Sequence, residues 1–203
     1  MTPEQKKKIA KGISVLVGIA GMIVITGWIF NIGFLKSLSP AWISMKFDTA
    51  LTFVLSSVVL YFIAQAREGG SDAAQVVLPV TALVILLLMG ILFFSDIFGV
   101  HTGLEQLFIR YTNAAPRTVI PGLPSLPTML NFILIASAAV YPEKMTLPLK
   151  ITGLIVGTVG IVAIVGYLVN APFLYYFVAG ANAAMACYTA ILFVFLGIGF
   201  LCL

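Results

Sequence analysis

The sequence predicts an all-α integral membrane protein, with six transmembrane helices arranged as three repeats of a two-helix unit. Of its 203 residues, 61% are hydrophobic and only 9% are charged, whereas a soluble domain carries about a quarter charged residues. Six apolar runs account for the difference, because a helix of about 20 apolar residues crosses the hydrocarbon core of a bilayer. A period of about 70 residues between recurring motifs is the third observation.

Two short motifs recur in each third of the chain. One is Thr-[Ala/Met]-[Leu/Ile]-x-Phe at the start of an apolar run, and its first residues are Thr49, Thr128 and Thr189. The other lies near the end of the preceding run, at Trp28, Asp96 and Tyr167. Three copies in register indicate internal repeats. We therefore divide a single membrane domain, residues 1–203, into repeats at about 12–65, 76–142 and 148–203.

The predicted spans are residues 12–32, 49–65, 76–98, 127–141, 148–169 and 181–203. The first is longer than the apolar core of a signal peptide, and no small-residue cleavage site follows it. Asp48 suits the N-cap of the second span, where a carboxylate accepts free N–H groups and complements the helix dipole. Pro127 suits the first position of the fourth span. Glycines 153, 157 and 160 share one face of the fifth span, which predicts close approach of a neighbouring helix.

The connections between the spans differ in charge. Residues 33–47 form an amphipathic segment, in which we expect Trp42 to lie in the membrane interface and Lys46 to reach the headgroups. The N-terminal segment and the turns at 66–75 and 143–150 together hold seven Lys and Arg residues, and the opposite side holds four. Because positive charge accumulates on the cytoplasmic side, we expect a multi-pass protein of the inner (cytoplasmic) membrane with both termini in the cytoplasm.

Several function classes are disfavoured by what the spans contain. Their central parts hold no ionisable residue, which argues against proton relays and charge-coupled transport. No nucleophile–base pair, phosphate loop or zinc spacing is present, so we predict no enzyme, cofactor or metal. The net charge of +4 comes from lysines before the first span and predicts no nucleic-acid partner.

The polar residues near the span ends form a tentative ligand-binding set. The three motif threonines either cap their helices, with duplication explaining their recurrence, or converge around a pseudo-threefold axis to form an outer pocket. Asn131 is either an interhelical hydrogen-bond partner or a ligand contact. His101 and Glu105 share a face if their segment is helical, although a polar interfacial loop is the favoured interpretation. The set is Trp28, Thr49, Asp96, His101, Glu105, Thr128, Asn131, Tyr167 and Thr189.

Two stretches also carry a resemblance to a known family. Residues 27–51 include Gly-Trp-Ile-Phe-Asn-Ile and Met-Lys-Phe-Asp-Thr-Ala-Leu, and residues 99–132 include Gly-Val-His-Thr-Gly-Leu-Glu-Gln-Leu-Phe and Pro-Thr-Met-Leu-Asn-Phe. They resemble the membrane-integral N-terminal sensor regions of prokaryotic signalling proteins, where such a region precedes PAS domains and a histidine kinase or a diguanylate cyclase. The resemblance implies a sensory function in signal transduction, and it supplies no ligand.

Three functions remain open from the sequence. The leading hypothesis is a non-enzymatic sensory input module that relays an outer-side or in-membrane signal to a cytoplasmic signalling domain or partner. The second is a structural or accessory subunit of a larger membrane complex, with other membrane subunits or a homo-oligomeric copy as partners besides the lipid bilayer. The third is a facilitator of neutral solutes, which requires a polar pore along the repeat axis.

Overall fold

A computed structural model describes residues 1–39, 41–69, 72–100, 102–109, 122–141, 145–176 and 183–203. Within these ranges all regular secondary structure is helical. The α-helices are α1 (Pro3–Ile29), α2 (Gly33–Lys36), α3 (Phe47–Gly69), α4 (Asp72–Phe98), α5 (Leu126–Ala138), α6 (Leu147–Leu168) and α7 (Cys187–Leu201). Two 3-10 helices cover Leu104–Gln106 and Pro172–Tyr175. Helices α1, α3, α4 and α6 are long and apolar enough to cross a membrane, so the chain is a multi-pass membrane protein.

Helices α5 and α7 are shorter than the spans predicted for their segments. They have 13 and 15 residues, which corresponds to roughly 20 Å of helix against a hydrocarbon core of about 30 Å. The residues just before them, 122–125 and 183–186, are non-helical and buried. Irregular backbone is tolerated at membrane depth when protein surrounds it. Helix α7 begins at Cys187 instead of residue 181, whereas α5 begins at Leu126, one residue before the predicted start, and ends at Ala138 instead of residue 141.

Helix α1 begins earlier than the sequence predicts, at Pro3 instead of residue 12. Thr2 and Gln5 form a capping box, in which the Thr2 hydroxyl accepts from the Gln5 N–H and the Gln5 side chain accepts from the Thr2 N–H. This reciprocal arrangement satisfies two N–H groups at the helix start. The basic N-terminal segment is therefore helical.

Three helices lie at the centre of the fold and three surround them. Helix α1 packs mainly on α3, α4 on α5, and α6 on α7, and each outer helix also contacts a second inner helix: α1 contacts α7, α4 contacts α3, and α6 contacts α5. The outer helices direct apolar side chains away from the protein, with Ile19, Leu87 and Leu154 more than half exposed. In a membrane these faces contact lipid.

Small residues allow the helix pairs to approach closely. A Cβ atom added to Gly153 or Gly160 of α6 would lie 2.7 or 2.6 Å from a carbonyl oxygen of α7. A Cβ atom on Gly21 of α1 would lie 2.9 Å from the carbonyl oxygen of Ala50 in α3. The predicted glycine face of the fifth span is thus confirmed, and a matching contact exists between α1 and α3.

Both termini lie at the same end of the bundle, called the terminus end below. Arg67 of α3 donates from Nη1 to the backbone oxygen of Leu203 at 2.6 Å and from Nη2 to that of Met145 at 2.7 Å. Lys11 of α1 forms an ion pair with Glu68 at 2.5 Å. These contacts join the ends of α1, α3 and α7 and the segment that precedes α6.

Candidate functional site

The outer helices end in the same backbone geometry at the opposite end of the bundle. Each is followed by a residue in the left-handed region, with φ of 54°, 62° and 53° for Asn31, Gly99 and Asn170. The next residue donates its N–H to a carbonyl five positions earlier: Ile32 to Gly27 at 2.8 Å, Val100 to Ser95 at 3.0 Å, and Ala171 to Gly166 at 2.8 Å. Glycine and asparagine are the residues that best tolerate this conformation. The chain therefore leaves α1, α4 and α6 in the same way.

The inner helices also begin alike. The motif threonine is the third residue of α3, α5 and α7. In each helix the residue before the first turn accepts the first helical hydrogen bond, and these acceptors are Lys46, Ser125 and Ala186, with distances of 3.0, 3.1 and 3.0 Å. Because α3 begins at Phe47, Asp48 lies inside the first turn, and the prediction that it is the N-cap was wrong.

The three motif phenylalanines meet at the centre of the bundle. The ring centroid of Phe53 lies 4.9 Å from that of Phe132 and 4.9 Å from that of Phe193, and the last two rings are 5.0 Å apart. All three side chains are completely buried. Tilted and edge-on aromatic pairs at such distances stabilise a core by about 0.5–1.5 kcal/mol each beyond their buried area. The axis between α3, α5 and α7 is closed at this level.

A small polar cavity, called the chamber below, lies at the starts of the inner helices. The motif threonines precede the phenylalanines by one helical turn. The chamber offers about 10 Å³ to the centre of a water molecule, which is room for about one such molecule. Its lining residues are Ser44, Lys46, Thr49, Pro124, Ser125, Thr128, Ala184, Met185, Ala186 and Thr189. All three motif threonines thus face one space.

Hydroxyl groups line the chamber at the starts of all three inner helices. Ser125 Oγ and Thr128 Oγ1 form a hydrogen bond of 2.7 Å. Thr49 and Thr189 are each only 2% exposed and line the same space. The first turns of α5 and α7 also lack a side-chain cap, because Ser125 bonds to Thr128 and Ala186 has no polar group. The chamber is therefore surrounded by hydroxyl groups and by the uncapped first turns of α5 and α7.

The position of Lys46 differs from the one that the sequence predicts. It was expected to reach the headgroups, but it is only 4% exposed and lines the chamber. Burial lowers the pKa of its amine from 10.5 to about 8, because a low-polarity environment disfavours the charged form. Asp48, the acidic residue in the first turn of α3, is also buried. One sequence signal could have indicated this position. Lys46 lies three residues before a motif threonine, as Ser125 and Ala186 do in the other two repeats, and all three residues line the chamber.

Trp28 and Tyr167 brace the segments that form the chamber. Trp28 Nε1 donates to the carbonyl oxygen of Met45 at 2.8 Å, and the Tyr167 hydroxyl donates to that of Met185 at 2.7 Å. The Tyr167 ring also contacts Trp42, with a centroid distance of 4.9 Å. These two side chains hold the backbone just before α3 and α7, and they are not among the residues that line the chamber.

Asp96 and Asn131 are not among the described residues that line the chamber. Asp96 is half-buried and Asn131 is buried, and the atoms Asp96 Oδ2 and Asn131 Nδ2 have no hydrogen-bond partner among the described residues. Glu105 lies in the 3-10 helix Leu104–Gln106, and His101 lies outside the described residues, so their pairing stays a prediction. No cluster of potential metal ligands occurs in the described part of the chain.

The chamber presents hydroxyl groups and an amine, and Lys46 is the titratable group among the described residues that line it. Comparison with known proteins finds no family model, no curated protein and no solved structure that matches this chain.

Proposed function

We propose that the protein is a non-enzymatic membrane sensory module whose six helices α1 and α3–α7 form three repeats of a two-helix unit. Three matching sets of contacts support the repeats: the left-handed ends of the outer helices, the threonines at the starts of the inner helices, and the phenylalanines on the axis. Helices α5 and α7 would complete their crossings with the buried non-helical segments that precede them.

The observation that carries the proposal is that α3, α5 and α7 each contribute a threonine to the chamber and, one turn further, a phenylalanine to the axis. A change in the chamber therefore acts on all three inner helices at once. Tightly packed aromatic cores favour discrete arrangements over continuous deformation. A stimulus that binds one arrangement more tightly would shift the population between them.

The terminus end provides a route for the output. Arg67 connects the end of α3 to the backbone at Leu203, just after α7. A relative shift of α3 and α7 at the chamber would thus reach the part of the chain nearest to a cytoplasmic domain or partner. The lysines 7 and 11 and Arg67 at this end favour a cytoplasmic location for both termini.

The closed axis disfavours the facilitator. Transport of a neutral solute requires a polar path, whereas Phe53, Phe132 and Phe193 fill the centre of the bundle with apolar rings. The accessory-subunit hypothesis makes no use of a polar chamber coupled to the opposite end, and it is the outcome if that coupling is absent.

The test measures coupling between the two ends through a native thiol. Thr189→Val removes a chamber hydroxyl at nearly constant volume, and Cys202, which is half-buried at the terminus end, reports the distant effect. In lipid nanodiscs, the reaction rate of Cys202 with a small thiol reagent is followed by mass spectrometry of the labelled peptide. We expect the rate to change about fivefold or more, which corresponds to a coupling free energy of about 1 kcal/mol.

The matched control is Thr81→Val, which removes a buried hydroxyl of α4 outside the chamber. Both variants should retain the helical circular dichroism and thermal stability of the wild type. If Thr189→Val leaves the Cys202 rate as unchanged as the control does, the chamber is not coupled to the terminus end. The sensory proposal then fails, and the accessory subunit becomes the better function.

A further inference from the structure

We propose that a membrane phospholipid with an anionic headgroup binds between α1 and α6, with its phosphate against Lys6 and Lys150 and an acyl chain along the exposed face of α7. This inference goes beyond the proposed function and does not rest on it, because the binding of a lipid requires no coupling between the two ends of the bundle.

A crevice at the terminus end, called the lysine crevice below, collects positive charge from two outer helices. Its lining includes Lys6 and Lys7 of α1, Lys150 in the first turn of α6, and Leu201 and Cys202 at the end of α7. Lys6 and Lys150 are exposed, so a ligand can reach their ammonium groups. The lysine crevice offers about 190 Å³ to the centres of water molecules, and it therefore admits a polyatomic group such as phosphate.

The lining of the lysine crevice favours an anion. Among the described lining residues the side chains carry three ammonium groups and no carboxylate. Glu68, at the same end, pairs with Lys11, which is not among these lining residues. Lys7 donates to the backbone oxygen of Arg67, and an ammonium group bound to a carbonyl oxygen keeps its charge and two further donors. The positive lining attracts a negatively charged group.

One face of α7 continues from the lysine crevice into the membrane. Every third or fourth residue of this helix is at least partly exposed, and the residues between them are buried. This spacing places the exposed positions on one side of the helix. Ile198 and Leu201 are the most exposed of them, at 44% and 42%. The full set is Tyr188, Ile191, Val194, Phe195, Ile198 and Leu201.

The walls beside this face are the helices that supply the lysines. Gly197 and Gly199 lie on either side of Ile198 in the sequence and face different neighbours. A Cβ atom on Gly197 would lie 2.6 Å from the Cα atom of Gly157 in α6, and one on Gly199 would lie 3.3 Å from the side chain of Ile13 in α1. Ile198 therefore points between α6 and α1, where a lipid chain would have an apolar floor and two helical walls.

The length of this face fits the lipid of one leaflet. From Cys202 to Ile191 the helix rises about 16 Å, close to half of a hydrocarbon core of about 30 Å. At the level of Ile191 a second hollow, lined in part by Ala20 and Ile23 of α1, offers about 210 Å³ to the centres of water molecules. An acyl chain that starts at the lysine crevice would reach this hollow. A soluble anion would use the lysines alone, so the combination favours a lipid.

The experiment counts bound lipid by native mass spectrometry of the full chain released from nanodiscs. The discs contain phosphatidylcholine with rising fractions of phosphatidylglycerol, whose headgroup is anionic. We expect the wild type to retain about one phosphatidylglycerol in preference to phosphatidylcholine. Lys6→Gln and Lys150→Gln should each weaken this preference about fivefold, which corresponds to about 1 kcal/mol per lysine.

The matched control is Lys8→Gln. It removes the same charge from an exposed position of α1 that is not among the described lining residues, and it should change the preference by about twofold or less. Circular dichroism establishes that each variant is folded.

Cys202 locates the lipid, because it lines the lysine crevice. Its reaction rate with a neutral thiol reagent should fall saturably as the fraction of phosphatidylglycerol rises, and this protection should weaken in Lys6→Gln. Inorganic phosphate added to discs of pure phosphatidylcholine should leave the rate unchanged, which separates a lipid headgroup from free phosphate.

Three results would overturn the lipid site. Equal retention of the two lipids shows that the chain does not recognise an anionic headgroup. A loss in Lys8→Gln as large as that in Lys6→Gln and Lys150→Gln attributes the preference to general surface charge. Protection of Cys202 by inorganic phosphate alone assigns the lysine crevice to a soluble anion. Each result is independent of the effect of Thr189→Val at constant lipid composition, so the lipid site and the sensory proposal are tested separately.

Discussion

Replacing Lys46 with methionine tests how much free energy the buried ammonium costs the fold. The pKa of the amine falls from 10.5 to about 8 on burial, a difference of about 2.5 units. At about 1.4 kcal/mol per unit, the ammonium costs the folded state about 3 kcal/mol at pH 7. Methionine retains most of the apolar stem without the charge. We therefore expect Lys46→Met to increase the free energy of unfolding by up to about 3 kcal/mol at pH 7.

The pH dependence of the wild type follows from the same shift. Well below pH 8 the amine is protonated in both the folded and the unfolded chain, and the full cost is present. Between about pH 8 and 10.5 the folded chain releases the proton while the unfolded chain keeps it, so the stability contributed by this residue rises with pH. Among the described residues no other titratable group lines the chamber; buried Asp48 is the nearby acid on the same helix. The advantage of Lys46→Met should shrink to about 1 kcal/mol at pH 10.

The assay is unfolding in mixed micelles, followed by the fluorescence of Trp28 and Trp42, at pH 7 and at pH 10. Lys8→Met, at an exposed position of α1, is the control and should change stability by no more than about 0.5 kcal/mol. A Lys46→Met variant clearly less stable than the wild type at pH 7 would refute the reasoning, because the contacts of the ammonium would then outweigh its desolvation.

Two further substitutions test the packing beneath the chamber. Gly160→Ala places a Cβ atom 2.6 Å from the Ala190 oxygen and should lower the free energy of unfolding by about 1–3 kcal/mol. The control is Gly157→Ala, whose Cβ atom lies 3.6 Å from its nearest neighbour and which should be nearly neutral. Equal effects of the two substitutions would contradict the close contact at Gly160. Phe132→Ala should lower the free energy of unfolding by about 3 kcal/mol in the same assay, because it leaves a cavity in the core. The control, Phe98→Ala on the lipid-facing surface, should lower it by about 0.5 kcal/mol or less. A neutral Phe132→Ala would show that the aromatic contacts contribute little to stability.

The recurring motifs predicted which polar residues are equivalent, because a motif that returns in each repeat marks the same structural position. The three motif threonines were identified this way, and they share the chamber. Lys46 could not be placed from the sequence, since a lysine beside an aromatic-rich segment is usually exposed at the membrane interface. Its burial depends on which segments pack over it, and that is a property of the tertiary structure.

The predicted start of α7 was wrong for a related reason. Hydropathy measures whether a segment is apolar, and the residues before α7 are as apolar as the helix itself. Residues 183–186 are nevertheless non-helical, because the surrounding protein buries them and the Tyr167 hydroxyl bonds to the Met185 oxygen. An apolar run of sufficient length therefore predicts burial in the membrane region better than it predicts where the helix begins.

The three helix starts are alike in their threonines and different in the residue three positions earlier, and only one of these three residues carries a charge. Lys46, Ser125 and Ala186 occupy that position and all line the cavity. Three lysines would repel one another in so small a space, whereas one lysine, one serine and one alanine place a single amine among the described lining residues. The repeat supplies the equivalent positions, and divergence at one of them limits the cationic groups of the described lining to Lys46.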